Sequence, residues 1–411
     1  MLLHWIWFAH RPGVSDWMKK TLLQHFQDPE EIYFAGDQDF DHIEGITQGA
    51  VAGLTDRDLQ TAEQIMDVCL RRNIHLLTFR DAAYPNRLRN ISDPPMVLYY
   101  KGNLPDLDGS PVIGVVGTRR ASYYGLDVAR RMGYQISKCG GIVASGMAAG
   151  LDAKAIQGGL MGGQSVIGVL GCGVDIVYPL SNKDLFEDVR RYGCLLSEFP
   201  PGTPPNKWNF PKRNRIISGI SCGVLVVEAP ERSGALITAN QAAEQGRDVF
   251  VIPGNIDNPM CLGSNRLMRD GAMPVGCGWD VMSEYEGLFP GKVHKNDARE
   301  IPGEKPEEPA SAPPEKGSAE PQSGKEKEKT TKKVIDKEQS APYSDVNDTL
   351  PQLSDEERIL VDALKDGERL VDDVIAETGM STGKLLGLLT MLEIRGVITR
   401  LPGKRVCLRR R

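Results

Sequence analysis

From Pro111 onward, short unbroken apolar runs alternate with longer segments of helical spacing. The runs "VIGVVG", "GIVASG", "SVIGVLG", "CLLSEF", "GVLVVEA" and "DVFVIPG" are rich in β-branched residues and show no polar alternation. A strand covered on both faces reads this way, because every side chain meets protein. Helical segments lie between most of the runs; "YGLDVARRMGYQISKCG", for example, is closed by Gly140 and Gly141. The alternation predicts an α/β fold built on a doubly wound parallel sheet. Such sheets bind ligands beyond the carboxyl ends of their strands, so function is expected in the loops that follow them.

The flanking regions follow other patterns. Residues 1–80 read as a helical domain of helix-hairpin type: "HRPGVSDWMKKTLLQHF" sets a Pro-Gly turn and a Ser15 or Asp16 cap before helical spacing. "DRDLQTAEQIMDVCLRRN" repeats the signal, with Asn73 suited to end the helix. A Pro-Gly hairpin either packs helices together or grips a nucleic-acid backbone through its amides, and the pattern alone leaves both open. The sheet domain spans residues 81–288, with "PPMVLYYKGN" as a strand leading into it. Residues 289–350 form a disordered linker: Gly291 to Thr349 is chiefly Lys, Glu, Pro, Ser and Ala, with Tyr343 its one aromatic. Such a segment buries too little apolar surface to offset its ordering entropy. Residues 351–411 then carry three helix signals, the last with Ser381 as cap, and a hairpin around Pro402-Gly403-Lys404. That is the outline of a winged helix-turn-helix. Lys384 is the only base on its predicted recognition helix before Arg395, so it could contact either DNA or protein.

Composition narrows the chemistry. A net charge of −6 over 411 residues confines any nucleic-acid surface to a local patch. The eight cysteines are scattered singly with no CxxC pair, which fits a reducing compartment and implies neither a disulfide framework nor a metal site. All six histidines lie at or before His75 or at His294, which removes His-based catalysis and His-ligated metals from the middle of the chain. The opening run "LLHWIWFA" is too short for a signal or a membrane span, so a cytoplasmic protein without a membrane partner is expected.

The strand-end loops carry the candidate site. Gly117-Thr118-Arg119 follows the first run, but Gly114, Gly117 and Gly125 miss the G-x-G-x-x-G spacing of a dinucleotide fold. The second run ends in Ala144-Ser145-Gly146, without the acid a ribose needs, so no dinucleotide cofactor is expected. A glycine turn opening a helix still suits an anion, and Arg119 adds a fixed charge. After the fourth run, "PPGTPPNKWNFPKRNR" concentrates Lys207, Lys212, Arg213 and Arg215 and interleaves Trp208 and Phe210. Cations for a backbone with rings for bases point to single-stranded nucleic acid. Ser233 and Gly234 open another helix after the fifth run.

Together "GTRRASYYG", "SGMAAGLDAKA", "VLGCGVDIVYP", "SEFPPGTPP", "FPKRNRIISG", "VVEAPERSGALITA", "GRDVFVIPG" and "GSNRLMRDGA" resemble the DprA/Smf family of DNA-processing proteins over most of residues 80 to 285. The resemblance implies an extended Rossmann-like domain between a helical domain and a winged helix. It implies a non-enzymatic protein of natural transformation and competence that binds incoming single-stranded DNA, protects it, loads RecA onto it and forms a homodimer through the Rossmann-like domain. The family's DNA pocket maps onto Gly117, Thr118, Arg119, Ser145, Gly146, Lys207, Phe210, Arg213, Asn214 and Arg215; the charge and glycine pattern adds Ser233 and Gly234. In this reading Arg119 and Arg213 fork phosphates, Lys207 acts as a point charge and Phe210 stacks a base. Two positions depart from the family: Ile156 stands where it usually has histidine, and Ala235 where it usually has serine.

The alternative is an enzyme. Nucleoside-monophosphate phosphoribohydrolases use similar sheets with P-G-G-x-G-T-x-x-E, whereas "ERSGALITANQ" here lacks the paired glycines and has Gln241 near where the acid is needed. Glu198 and Glu228 end strands and are the substitute acids, unless they only accept hydrogen bonds from neighbouring loops.

Overall fold

The computed structural model describes residues 1–296 and, in the C-terminal part, 355–364, 369–378, 380, 385, 388–389, 392–393, 397–401 and 405–408. The chain divides into two compact units, Met1–Ser311 and Ala312–Arg411. In the first, nine strands form one sheet: β1 (His75–Thr78), β2 (Val97–Gly102), β3 (Val112–Val116), β4 (Ile142–Ser145), β5 (Val166–Val169), β6 (Cys194–Ser197), β7 (Gly223–Val226), β8 (Asp248–Val251) and β9 (Met273–Pro274). Their order is β1-β2-β6-β5-β4-β3-β7-β8-β9. From β6 to β9 neighbours run parallel, while β2 pairs antiparallel with both β1 and β6. The six apolar runs are β3 to β8. The sheet is therefore mostly rather than wholly parallel, and β1 and β9 extend it with short, partly exposed strands whose sequences carry too little pattern to announce them.

Strand β3 shows why the runs do not alternate. Ile113 and Val115 enter one core and Val112 and Val116 the other, so the period-two side chains of one strand feed both faces of the sheet. Helices on both faces supply the rest. Ser122 caps the helix Tyr123–Lys138 by accepting from the Gly125 amide at 2.9 Å, as its place before the helical pattern requires.

The N-terminal helices share a core with the sheet. The apolar opening run is the helix Leu2–Ala9, with Trp5, Ile6, Trp7 and Phe8 all buried. Ser15 caps Asp16–His25, and Asn73, at φ 50°, lies just beyond Gln60–Arg71 in the left-handed region that Asn tolerates. His10 joins this part to β2 through a 2.8 Å hydrogen bond with the Tyr99 hydroxyl. The Pro12-Gly13 turn packs against Gly49 and Gly53, so of its two readings the structure shows the packing one.

The second unit is a winged helix. Helices Asp355–Ala363 and Val371–Thr378 pack with Leu385, Leu389 and Leu392 against a sheet of order β10-β12-β11, formed by β10 (Arg369–Leu370), β11 (Ile398–Leu401) and β12 (Arg405–Leu408). Residues 297–350 of the expected linker, the Ser381 cap, Lys384 and Arg395 lie outside the described residues. Among those described, no helix is long and apolar enough to cross a membrane.

Candidate nucleic-acid interface

The chain enters the parallel sheet at β3, lays β4, β5 and β6 to one side, then crosses back to place β7, β8 and β9 on the other. The loops after β3 and β7 diverge at this crossover, and the carboxyl edge around it is where doubly wound sheets open to ligands. On that edge the loops after β3, β4 and β5 and the helix Asn209–Ile220 enclose a cleft of about 130 Å³. Arg119, Gly146, Ala148, Ala149, Leu170, Gly171, Cys172, Tyr178, Pro179 and Phe210 line it.

Phe210, on the first turn of its helix, is the centre of the cleft. A Cβ added to Gly171 would lie 2.9 Å from the ring, so only glycine lets the two approach. The Tyr178 ring is tilted beside it at 5.5 Å, and the Arg119 guanidinium lies 5.1 Å from the Phe210 centroid. Arg119 is exposed, so the ring orients the cation without removing it from solvent. Farther along the edge, Lys207 Nζ lies 4.7 Å from the ring centroid of Trp208, which is 75% exposed. Cations seated on aromatic rings thus recur along this edge, Arg119 on Phe210 and Lys207 on Trp208, beside a cleft whose lining is mainly apolar.

Other expected ligands serve the fold instead. Arg213 is 4% exposed; its Nη1 donates to the carbonyls of Gly146, at 2.6 Å, and Val169, and its Nε donates to Asn214 Oδ1 at 3.1 Å. Burial lowers its pKa to about 10. Asp152 is the neighbouring buried carboxylate. Burial raises its pKa, against the opposing pull of Arg213, the Ala148 and Gly117 backbone and Arg119. This pair joins the ends of β4 and β5 to the loop after β3, directly beneath the cleft. A guanidinium so occupied acts as a strut between the strand ends. Gly146 lines the cleft because a Cβ there would lie 2.4 Å from Arg213 Nη2.

Arg215 is likewise engaged within the fold. It is 3% exposed and bonded to Glu198 at 3.0 and 2.8 Å, to Asp16 at 3.0 Å and to Asp93 at 3.0 Å. Burial alone would lower its pKa, but Glu198, Asp16 and Asp93 outweigh it and raise it. Lys212 joins the same acids, at 2.9 Å from Asp16 and 3.2 Å from Glu198. The basic run is therefore largely neutralised by carboxylates that are far away in sequence, which no local pattern reveals.

The polar cradle is also internally satisfied. Gly117 donates from its backbone to Asp152, the Thr118 amide donates to the Glu228 carbonyl at 2.8 Å, and Thr118 Oγ1 accepts from the Arg120 amide at 3.2 Å. Ser145 is fully buried, its hydroxyl donating to the Val115 carbonyl at 2.6 Å. Asn214 Nδ2 donates to the Gly234 carbonyl at 3.3 Å, and Ser233 Oγ accepts from the Ala235 amide at 3.2 Å as a helix cap. Of the expected set, Arg119, Lys207 and Phe210 keep side chains available to a ligand, with Gly146 as lining. The two strand-end acids are held too: Glu198 by Arg215, and Glu228 by the Ser122 amide at 2.9 Å and the Ser122 hydroxyl.

Comparison with known proteins places this architecture. A family model described as DNA recombination-mediator protein A matches residues 75–286, and a DprA winged helix domain matches residues 345–404. Protein Smf of Synechocystis sp. is 31% identical over 406 residues, which is 98% of this chain and 97% of the relative. The chain belongs to the DprA/Smf family. DNA processing protein DprA of Streptococcus pneumoniae is 43% identical over 206 residues, 50% of this chain and 72% of its own. The X-ray structure of DprA from Streptococcus pneumoniae aligns with a TM-score of 0.60 at 34% identity, covering 69% of this chain and 98% of that one.

Within this DprA/Smf chain the two positions expected to depart from the family lie in the core. Ile156 is fully buried among apolar neighbours, and Ala235 is 6% exposed in the first turn of its helix. Neither lines the cleft. The sequence reading missed Tyr178 and Asp152. Tyr178 lies in a glycine-containing loop after a strand, but it has none of the adjacent bases that singled out Phe210's neighbourhood. Asp152 sits on a helix like any surface acid, and only the fold buries it beside Arg213.

Proposed function

We propose that this DprA/Smf protein binds single-stranded DNA along the carboxyl edge of its sheet, with little base preference, protects it, and hands it to RecA in the cytoplasm during DNA uptake. One observation carries the DNA reading: an exposed arginine held over Phe210, beside Tyr178, on the rim of a mainly apolar cleft. Arg119 and Lys207 would neutralise phosphates while Phe210, Tyr178 and Trp208 offer π faces, which every base possesses. The cleft has few polar groups to read a base edge, which supports sequence tolerance. RecA loading and a homodimer through the Rossmann-like domain rest on the family resemblance. Binding rather than catalysis is supported by the hydrogen bonds that occupy Glu198 and Glu228.

Fluorescence anisotropy with labelled single-stranded and duplex oligonucleotides tests the reading. Single strands should bind more tightly, and Arg119→Glu, which puts an anion where a phosphate is expected, should abolish binding without lowering the melting temperature. Wild-type affinity in a folded Arg119→Glu protein would overturn it. RecA loading is tested by whether the protein speeds RecA filament formation on single strands; no acceleration would refute that step alone.

A further inference from the structure

The cleft ends at Arg119, yet the carboxyl edge does not. We infer a second single-strand subsite, on the ledge formed by Arg120, Tyr123 and Tyr124, which continues the path from the cleft toward the β3–β7 crossover; it rests on the reading of the cleft as a single-strand site. Tyr123 is 86% exposed and Tyr124 57% exposed, on the first turn of the helix Tyr123–Lys138, and Arg120 is exposed in the loop before it. Two large exposed aromatic side chains, two residues after a pair of exposed arginines, repeat the composition of the cleft rim without serving the core.

The ledge is held rigidly. The Glu228 carboxylate, 1% exposed at the end of β7, accepts hydrogen bonds from both the amide and the hydroxyl of Ser122. The Thr118 amide is fixed to the Glu228 carbonyl at 2.8 Å, and the Arg120 amide to Thr118 Oγ1 at 3.2 Å. Ser122 in turn caps the helix that bears the tyrosines. The backbone from 118 to 122 is thus anchored, so the loop and the helix start that carry the rings need little further ordering. Its nearest helical acid, Asp127, pairs with Arg130 and Arg131 rather than with the two exposed arginines of the loop.

The occupant this surface fits is the continuation of the strand held in the cleft. Along the edge the order of strands is β6, β5, β4, β3, β7. Lys207 and Trp208 follow β6, Tyr178 follows β5, and Arg119, Arg120, Tyr123 and Tyr124 follow β3, so cations and rings are carried by successive strand-end loops of one sheet edge. With strands about 4.8 Å apart, that stretch spans on the order of 15 Å, more than one base can bridge.

Strand length separates the two sites. The probes are labelled oligo-dT strands of about 2 and about 20 nucleotides; at about 3.4 Å per stacked nucleotide the first is too short to leave the cleft and the second long enough to cross the whole edge. The double variant Tyr123→Ala/Tyr124→Ala should bind the long probe on the order of tenfold more weakly and the short one unchanged. Phenylalanine at both positions should restore the loss, and Arg120→Ala should reduce the log-log salt slope by about 0.7 on the long probe alone. Wild-type affinity of the double alanine variant for the long probe, while Arg119→Glu abolishes binding of both, would overturn the subsite and leave the cleft standing. Equal weakening on both probes, or failure of phenylalanine to restore it, would also overturn it. Binding of both probes by Arg119→Glu would instead bring down the cleft reading and the subsite with it.

Discussion

The guanidinium of Arg119, from the loop after β3, rests 5.1 Å from the centre of the Phe210 ring, from the helix after β6. Neither residue is near the other in sequence. Their contact makes one composite group, a cation seated on a π face, and it predicts that the two act together. Phe210→Ala should cost about 1–3 kcal/mol of single-strand binding and leave the salt slope unchanged, because a ring releases no counterions. In a double-mutant cycle Arg119→Ala and Phe210→Ala should be non-additive by about 0.5 kcal/mol or more. Strict additivity in the anisotropy titrations would deny the coupling.

Gly171 allows that arrangement. Gly171→Ala puts a methyl group 2.9 Å from the Phe210 ring and should displace it, weakening DNA binding while leaving the thermal midpoint close to wild type. Unaltered affinity would mean that the ring's position is unimportant.

Arg213 behaves differently from Arg119. Arg213→Met leaves Asp152 buried without its counter-charge and should destabilise the protein by about 3–5 kcal/mol, read as a lowered urea midpoint. Arg119→Met should not. A fully stable Arg213→Met protein that has merely lost DNA would restore Arg213 as a direct phosphate ligand.

His10 supplies a pH dependence. Desolvation first, then Lys19, Lys212 and Arg11 against the pull of Asp16, lower its pKa from 6.5 to about 4. Between those values the unfolded chain binds a proton that the folded chain refuses, so stability falls as pH drops through this window. The slope from this group is at most about 1.4 kcal/mol per pH unit. His10→Asn should flatten the stability profile there by that amount; identical profiles for the two proteins would contradict the assignment.

Removing everything after residue 296 deletes the winged helix but none of the cleft. The shortened protein should fold and retain most single-strand affinity in the same titration. Loss of most binding would shift the principal DNA site to the C-terminal unit.

The sequence by itself determined the α/β class, the six inner strands and the cap at Ser15, and it pointed to the strand-end loops as the place to look for function. These follow from local regularities: an unalternating apolar run signals burial on both faces, and a serine before a helical pattern signals a cap. It also named Arg119 and Lys207, exposed in strand-end loops as their charge suggests, and Phe210, half-buried on the first turn of a helix.

Only the tertiary structure decided which charges are free. "KRNR" reads as a cluster of phosphate ligands, yet Arg213 is taken by the carbonyls of Gly146 and Val169, and Arg215 by Asp16, Asp93 and Glu198. Those partners come from other strands and from the N-terminal helices. A charge's availability depends on what surrounds it in space, and burial forces such groups to find partners wherever the fold brings them. The same holds for Tyr178, which a glycine turn after β5 carries to the side of Phe210, and for Tyr123 and Tyr124, whose sequence looks like a helix start and whose exposure only the packed sheet reveals.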